Sequence, residues 1–172
     1  MYVRYAHLLV GLLVATIGFR QDSASSARAD FINAQGQKIG TAVVTQTAAG
    51  VRIDVNVAQL AAGTHAFHIH ALGKCEAPDF KSAGGHFNPA GKQHGKDNPY
   101  GPHAGDMMNF EVDPDGNAKF SAMNIGVTLG EGANSLFHEG GTALVIHEKA
   151  DDYKTDPAGN AGNRIACGVI QK

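Results

Sequence analysis

The sequence predicts an all-β domain, an antiparallel sandwich or barrel interrupted by two long loops. Residues 51–57 (VRIDVNV) alternate apolar and polar side chains without a break, as a half-buried strand does. Glycine makes up 22 of the 172 residues, so turns come often. After the N-terminal segment, helix-period stretches are hard to find.

The elements justify this class one by one. Residues 40–46 (GTAVVTQ) are rich in β-branched side chains and run into a turn at Ala48-Ala49-Gly50. Phe110-Glu111-Val112 leads into Asp113-Pro114-Asp115-Gly116 and then residues 118–122, a hairpin with strong turn chemistry. Residues 142–147 (TALVIH) and 165–170 (IACGVI) supply further strands. Two stretches do not fit as strands. Residues 71–106 are polar and rich in Gly, Pro, His and Lys, and residues 148–163 are charged and Gly-rich. Loops this long are functional or disordered, and the histidines decide for function.

The N-terminus reads as an export address. Arg4 precedes an apolar run at residues 8–19, and a polar stretch ends in Ala27-Arg28-Ala29, an A-x-A pattern. The expected organisation is a signal over residues 1–29 and one β domain over 30–172, periplasmic or extracellular; an uncleaved anchor is the other reading. No cysteine precedes Cys75, which excludes a lipid on an N-terminal cysteine. A cut after Ala29 removes Arg4, Arg20, Arg28, Asp22 and His7. It leaves 11 basic and 15 acidic residues, a net charge of −4, and eight histidines.

Composition narrows the function classes. With 43% hydrophobic and 17% charged residues, the chain has a core to bury and is not disordered. A net charge of −2 for the whole chain argues against nucleic acid as a partner. No apolar run is long enough to span a bilayer, so no membrane partner is expected once the signal is removed. Secretion permits a disulfide, and Cys75 and Cys167 are the two cysteines available. Two free buried thiols are the alternative.

The nine histidines raise a metal question. His68 and His70 flank Ile69 in Phe67-His68-Ile69-His70. On a strand, positions i and i+2 share a face, so both imidazoles point one way while Phe67 and Ile69 point into a core. An H-x-H pair alone is weak evidence. The following loop carries His86, His94, His103 and Asp106, spaced H-x7-H-x8-H-x2-D. Three imidazoles and a carboxylate make a natural tetrahedral zinc set. The bland reading is a polar loop with scattered histidines. His147 ends a strand and, alone, reads as a surface or satisfied histidine.

Four segments carry a longer pattern: Gly63-Thr64-His65-Ala66-Phe67-His68-Ile69-His70, Gly84-Gly85-His86-Phe87-Asn88-Pro89, His147-Glu148-Lys149-Ala150-Asp151-Asp152 and Gly159-Asn160-Ala161-Gly162-Asn163-Arg164-Ile165-Ala166-Cys167-Gly168. Together they resemble the copper/zinc superoxide dismutase family, in its secreted bacterial branch. The resemblance implies a Greek-key β-sandwich or flattened barrel. It implies copper on His68, His70, His86 and His147, and zinc on His86, His94, His103 and Asp106, with His86 shared. Asp151 resembles a carboxylate that orients His68 and His94. Arg164 resembles the arginine that holds the anionic substrate, superoxide, and Cys75 and Cys167 resemble the family's disulfide. In that mechanism His86 and Arg164 are the catalytic side chains, and His86 takes up a proton during turnover.

Imidazole suits both metals, and copper supplies the redox cycle that zinc cannot. Lys74, Lys81, Lys149 and Lys154 are candidate steering charges. The 73–85 stretch is longer than in the cytosolic animal form, the 148–163 loop is shorter, and Ala158 stands where many members have Thr. His65 reads as structural and His138 as an exposed-loop residue. A homodimer is an expectation that the family leaves open. The alternative function is a secreted copper/zinc buffer or carrier without turnover.

Overall fold

The computed structural model describes residue 1 and residues 25–172; the apolar run at 8–19 on which the export reading rests lies outside them. Among the described residues there are nine strands, in chain order: β1 Ser26–Asn33, β2 Lys38–Thr47, β3 Gly50–Val57, β4 Gly63–His65, β5 Phe67–His70, β6 Phe110–Val112, β7 Ala118–Asn124, β8 Ala143–His147 and β9 Arg164–Val169. β2 pairs with β3 through the turn before Gly50. The hairpin expected over residues 110–122 has its turn, closed by Asp113 N–H to Asn117 O, but not its pairing: β6 pairs with β4 and β7 with β3, because the chain passes there from one sheet to the other.

Strand order in the main sheet is β5-β8-β9-β1-β2-β3-β7, and β4 pairs with β6 in a short ribbon. β4 continues into β5 and β6 continues into β7. The ribbon therefore bridges the two edges of the seven-stranded sheet and curls it into a flattened barrel. β3 neighbours β7 rather than β4, and β8 inserts between β5 and β9. Such out-of-order neighbours make a Greek key.

Alternation builds the interior. Val51, Ile53, Val55 and Val57 of β3 face inward beside Val44, Phe31, Phe67, Ile69, Leu144 and Ile146. Phe67 meets Phe110 and Phe120 edge-on, with ring centroids at 6.2 and 5.4 Å. Each fully buried side chain of this size contributes about 1.5–3 kcal/mol. β8 is buried along its whole length, and its first four residues are apolar, because both its faces are covered. Leu144 and Ile146 face the main core, and Ala143 and Val145 pack under Phe80, Ala83 and Cys167.

Strand β1 crosses the boundary expected at residues 29/30: it pairs with β2 from Ser26 onward and buries Ala27 and Ala29. Arg28 also exchanges two backbone hydrogen bonds with Gln171, each 2.8 Å. The Ala27-Arg28-Ala29 segment is thus strand, small side chains inward and Arg28 outward.

Candidate metal centre

Strand β5 aims the first two imidazoles. Phe67 and Ile69 fill the core, so His68 and His70 project from the opposite face, where the loops bury them. The 71–106 loop returns against β5 in a small backbone ladder. Phe87 N–H donates to Ile69 O at 2.8 Å, Gly105 N–H to Phe87 O at 2.8 Å, and Ile69 N–H to Gly105 O at 2.9 Å. Gly105 permits that approach, since a Cβ there would collide with the Ile69 carbonyl. The ladder sets His86 beside His70 and Asp106 beside His68. A register shift between Ile146 and His147 re-aims the last residue of β8, whose N–H donates to Ala66 O at 3.0 Å.

Four imidazoles converge as a result. One ring nitrogen from each of His68, His70, His86 and His147 lies within 4.8 Å of all the others. His70 Nε2 and His147 Nε2 stand 3.4 Å apart. His68 Nδ1 and His86 Nε2 are buried with no hydrogen-bond partner. Leaving such nitrogens buried and unpaired is costly unless a cation takes their lone pairs.

A second cluster lies on the other side of His86. Asp106 Oδ1 is 2.8 Å from His86 Nδ1, 3.0 Å from His94 Nδ1 and 3.3 Å from His103 Nδ1. His68, His86, His94 and Asp106 also fall within one 4.8 Å group. His68 belongs to both groups; its Nε2 lies 2.8 Å from Asp151 Oδ2, which leaves it one ring nitrogen, Nδ1, without a partner. His103 brings a further ring nitrogen to this side, its Nδ1 3.4 Å from His86 Nδ1.

The 148–163 loop supplies the supports. Asp151 receives His68 Nε2–H on one oxygen and stands 3.0 Å from His94 Nε2 with the other. Its backbone is clamped on both sides by the Asn109 amide, at 2.9 Å each. Arg164 donates from Nη1 to Phe80 O and from Nη2 to Gly84 O, both at 2.7 Å. Cys75 and Cys167 form a disulfide that pins the loop bearing these carbonyls to β9. Residues 38–170 match the family model described as copper/zinc superoxide dismutase (SODC).

The chain belongs to the copper/zinc superoxide dismutase family.

It is 59% identical over 145 residues to "Superoxide dismutase [Cu-Zn] 1" of Aquifex aeolicus (strain VF5), covering 83% of this chain and 86% of that one. It is 55% identical to "Superoxide dismutase [Cu-Zn] 2" of the same organism, over 93% of this chain and 94% of that one. Among solved structures, a SOD-like protein from Bacillus subtilis superposes with a TM-score of 0.80 at 39% identity, covering 83% of this chain and 96% of that one.

The electrostatics of this superoxide dismutase family member divide the two clusters. Burial pushes His86 down to about 4 and His147 down to about 3. Burial, with His86 adding to it, also holds His70 well below its ordinary value. All three are neutral at pH 7 and offer lone pairs. His94 goes the other way. Burial opposes its charge, but hydrogen bonding to Asp106 and Asp151 outweighs that and raises it to about 9. Burial likewise opposes ionisation of Asp106, yet His103, His86 and His94 hold its carboxyl far below the usual range.

Sequence reading alone did not single out Asn109 or the carbonyls of Phe80 and Gly84. The backbone carbonyls carry no side-chain signal, and Asn109 is one polar residue in a turn. His65 is structural in the fold: its ring stands between His147 O and Ala61 O, at 2.8 Å from each. His138, expected in an exposed loop, is half-buried, its ring stacked on Phe87 at 5.1 Å.

Proposed function

We propose that His68, His70, His86 and His147 hold copper, that His86, His94, His103 and Asp106 hold zinc, and that this pair of sites dismutes superoxide. Two superoxide anions and two protons give one dioxygen and one hydrogen peroxide. The observation that carries the reading is the convergence of four imidazole nitrogens, two of them buried without a partner. When bound, copper supplies one-electron redox cycling at imidazole ligands, and zinc a fixed charge with no redox chemistry.

The chain's own residues do the rest. Asp151 orients His68 and His94 through their outer ring nitrogens, which fixes both rings about the shared His86. Arg164 attracts the small anion. Its hydrogen bonds to Phe80 O and Gly84 O hold the guanidinium still, and its remaining N–H groups are free to receive oxygen. His86 Nε2 is the buried atom at which a proton can be held for the peroxide product.

The test is superoxide decay catalysed by the purified, oxidised protein reloaded with copper and zinc. A rate near the ceiling of about 10⁸–10⁹ M⁻¹s⁻¹ is expected. A rate no better than free copper, with both metals bound, would leave the secreted metal buffer as the better reading.

The disulfide belongs to an oxidising compartment, so the protein works outside the cytoplasm. Within that reading we place the signal cut upstream of Ser26 rather than after Ala29, since a cut at Ala29 would remove buried Ala27 and Ala29 and the Arg28–Gln171 pair. Ser23-Ala24-Ser25 offers the small-x-small pattern there. N-terminal sequencing of the exported protein decides; a start at Asp30 overturns this placement.

A further inference from the structure

Asp156 is not among the metal-binding residues assigned above, yet it stands directly behind two of them. Its Oδ1 accepts the backbone N–H of His94 at 2.6 Å. The same oxygen lies 3.9 Å from His103 Nε2. His103 therefore faces the Asp106 cluster with Nδ1 and Asp156 with Nε2. The loop that carries Asp156 is held against the first loop by one backbone and one side-chain hydrogen bond. Asp97 N–H donates to Tyr153 O at 3.0 Å, and the Asn98 amide donates to Lys154 O at 3.4 Å.

We propose that Asp156 is a positioning residue for the zinc set: it sets the backbone of His94 and orients the ring of His103 from behind. This rests on the zinc reading above. A ligating imidazole donates its outer N–H to a carboxylate or carbonyl, which fixes tautomer and ring orientation. Asp151 fills that role for His68 and His94, and the Gly84 carbonyl fills it for His70. Asp156 is the carboxylate in reach of the corresponding nitrogen of His103. At 3.9 Å the contact is an ion-pair distance, longer than a hydrogen bond. Were His103 to hold zinc through Nδ1, its proton would sit on Nε2, the nitrogen that faces Asp156. The second loop then touches the zinc set at Asp151 and at Asp156, on two different imidazoles.

The experiment compares the full protein with its Asp156→Asn and Asp156→Glu variants, stripped of metal and reloaded with Zn²⁺ or with Co²⁺ as a spectroscopic probe. Asn keeps an oxygen for the His94 N–H but loses the charge. Zinc binding is expected to weaken about 10- to 100-fold in Asp156→Asn, with shifted Co²⁺ ligand-field bands. Asp156→Glu is expected to recover part of the affinity. Zinc affinity within twofold of the parent and unchanged Co²⁺ bands in Asp156→Asn overturn the proposal, as does an equal loss in Asn and Glu. Should His103→Ala leave the Co²⁺ bands of the parent unchanged, the zinc reading itself falls and takes this role with it.

Discussion

Arg164 and His70 share one acceptor, the carbonyl oxygen of Gly84. Arg164 Nη2 donates to it at 2.7 Å and His70 Nδ1 at 2.9 Å. One backbone atom thus sets both the guanidinium and the outer nitrogen of an imidazole assigned to copper. Replacing Arg164 with Ile should leave metal content intact and lower the rate of superoxide decay about 10-fold or more, with a weaker dependence on salt. Pulse radiolysis across an ionic-strength series checks this. An unchanged rate and salt slope would remove Arg164 from the anion path.

The disulfide holds that carbonyl in place. Cys75 and Cys167 are 92 positions apart, and a bridge closing a loop of that size stabilises the fold by about 4–5 kcal/mol in the chain-entropy model. The Cys75→Ser, Cys167→Ser double variant should lose stability of that order in denaturant unfolding. Its activity should also fall relative to bound copper, because the loop bearing the Phe80 and Gly84 carbonyls loses its covalent tie to β9 and keeps the hydrogen bonds of Arg164.

Gly159 lies against the Asp151 carboxylate at φ +63°, a left-handed conformation that side chains disfavour. A Cβ there would fall on Asp151 Oδ1 and come within 2.8 Å of His94 Nε2. Gly159→Ala should therefore cost about 1–3 kcal/mol of stability and release zinc more readily. Thermal unfolding and competition with a chelator read the two effects separately.

Metal uptake should depend on pH differently at the two sets. In the metal-free fold His94 is raised from its ordinary 6.5 to about 9 by Asp106 and Asp151, against the opposing effect of burial. Its protonated form stabilises the metal-free protein fully below about pH 6.5, and that contribution disappears as pH climbs through about 9. Zinc must displace this proton. Zinc affinity should therefore rise roughly tenfold per pH unit between about 7 and 9. His86 and His147, pushed down by burial to about 4 and about 3, are already neutral, so at these ligands copper uptake should be flat above about pH 5. Calorimetry in buffers of different ionisation enthalpy counts the protons: release with zinc, and none from His86 or His147 with copper.

The first strand shows two local patterns falling on one segment. Ala27, Ala29 and Phe31 alternate inward along β1, a period of two that is visible in the sequence. Small-x-small before a polar junction is also the mark of a signal cut, and the two patterns coincide at Ala27-Arg28-Ala29. The pairing of Arg28 with Gln171, at the other end of the domain, is the contact that favours the upstream cut proposed above.

By itself the sequence determined the all-β class, the turns, and the donor types: H-x-H on a strand, a His/His/His/Asp loop, and a histidine at the end of β8. These follow from short-range chemistry, because a strand's two-residue period places His68 and His70 on one face and Phe67 and Ile69 on the other. The tertiary structure decided which donors meet and what holds them. Asp151 reaches His68 across 83 positions, Arg164 reaches Phe80 O across 84, and Asp156 reaches the His94 N–H across 62. The direction of a carbonyl and the docking of one loop on another arise only when the barrel closes and the loops pack over β5 and β8, so no local pattern records them.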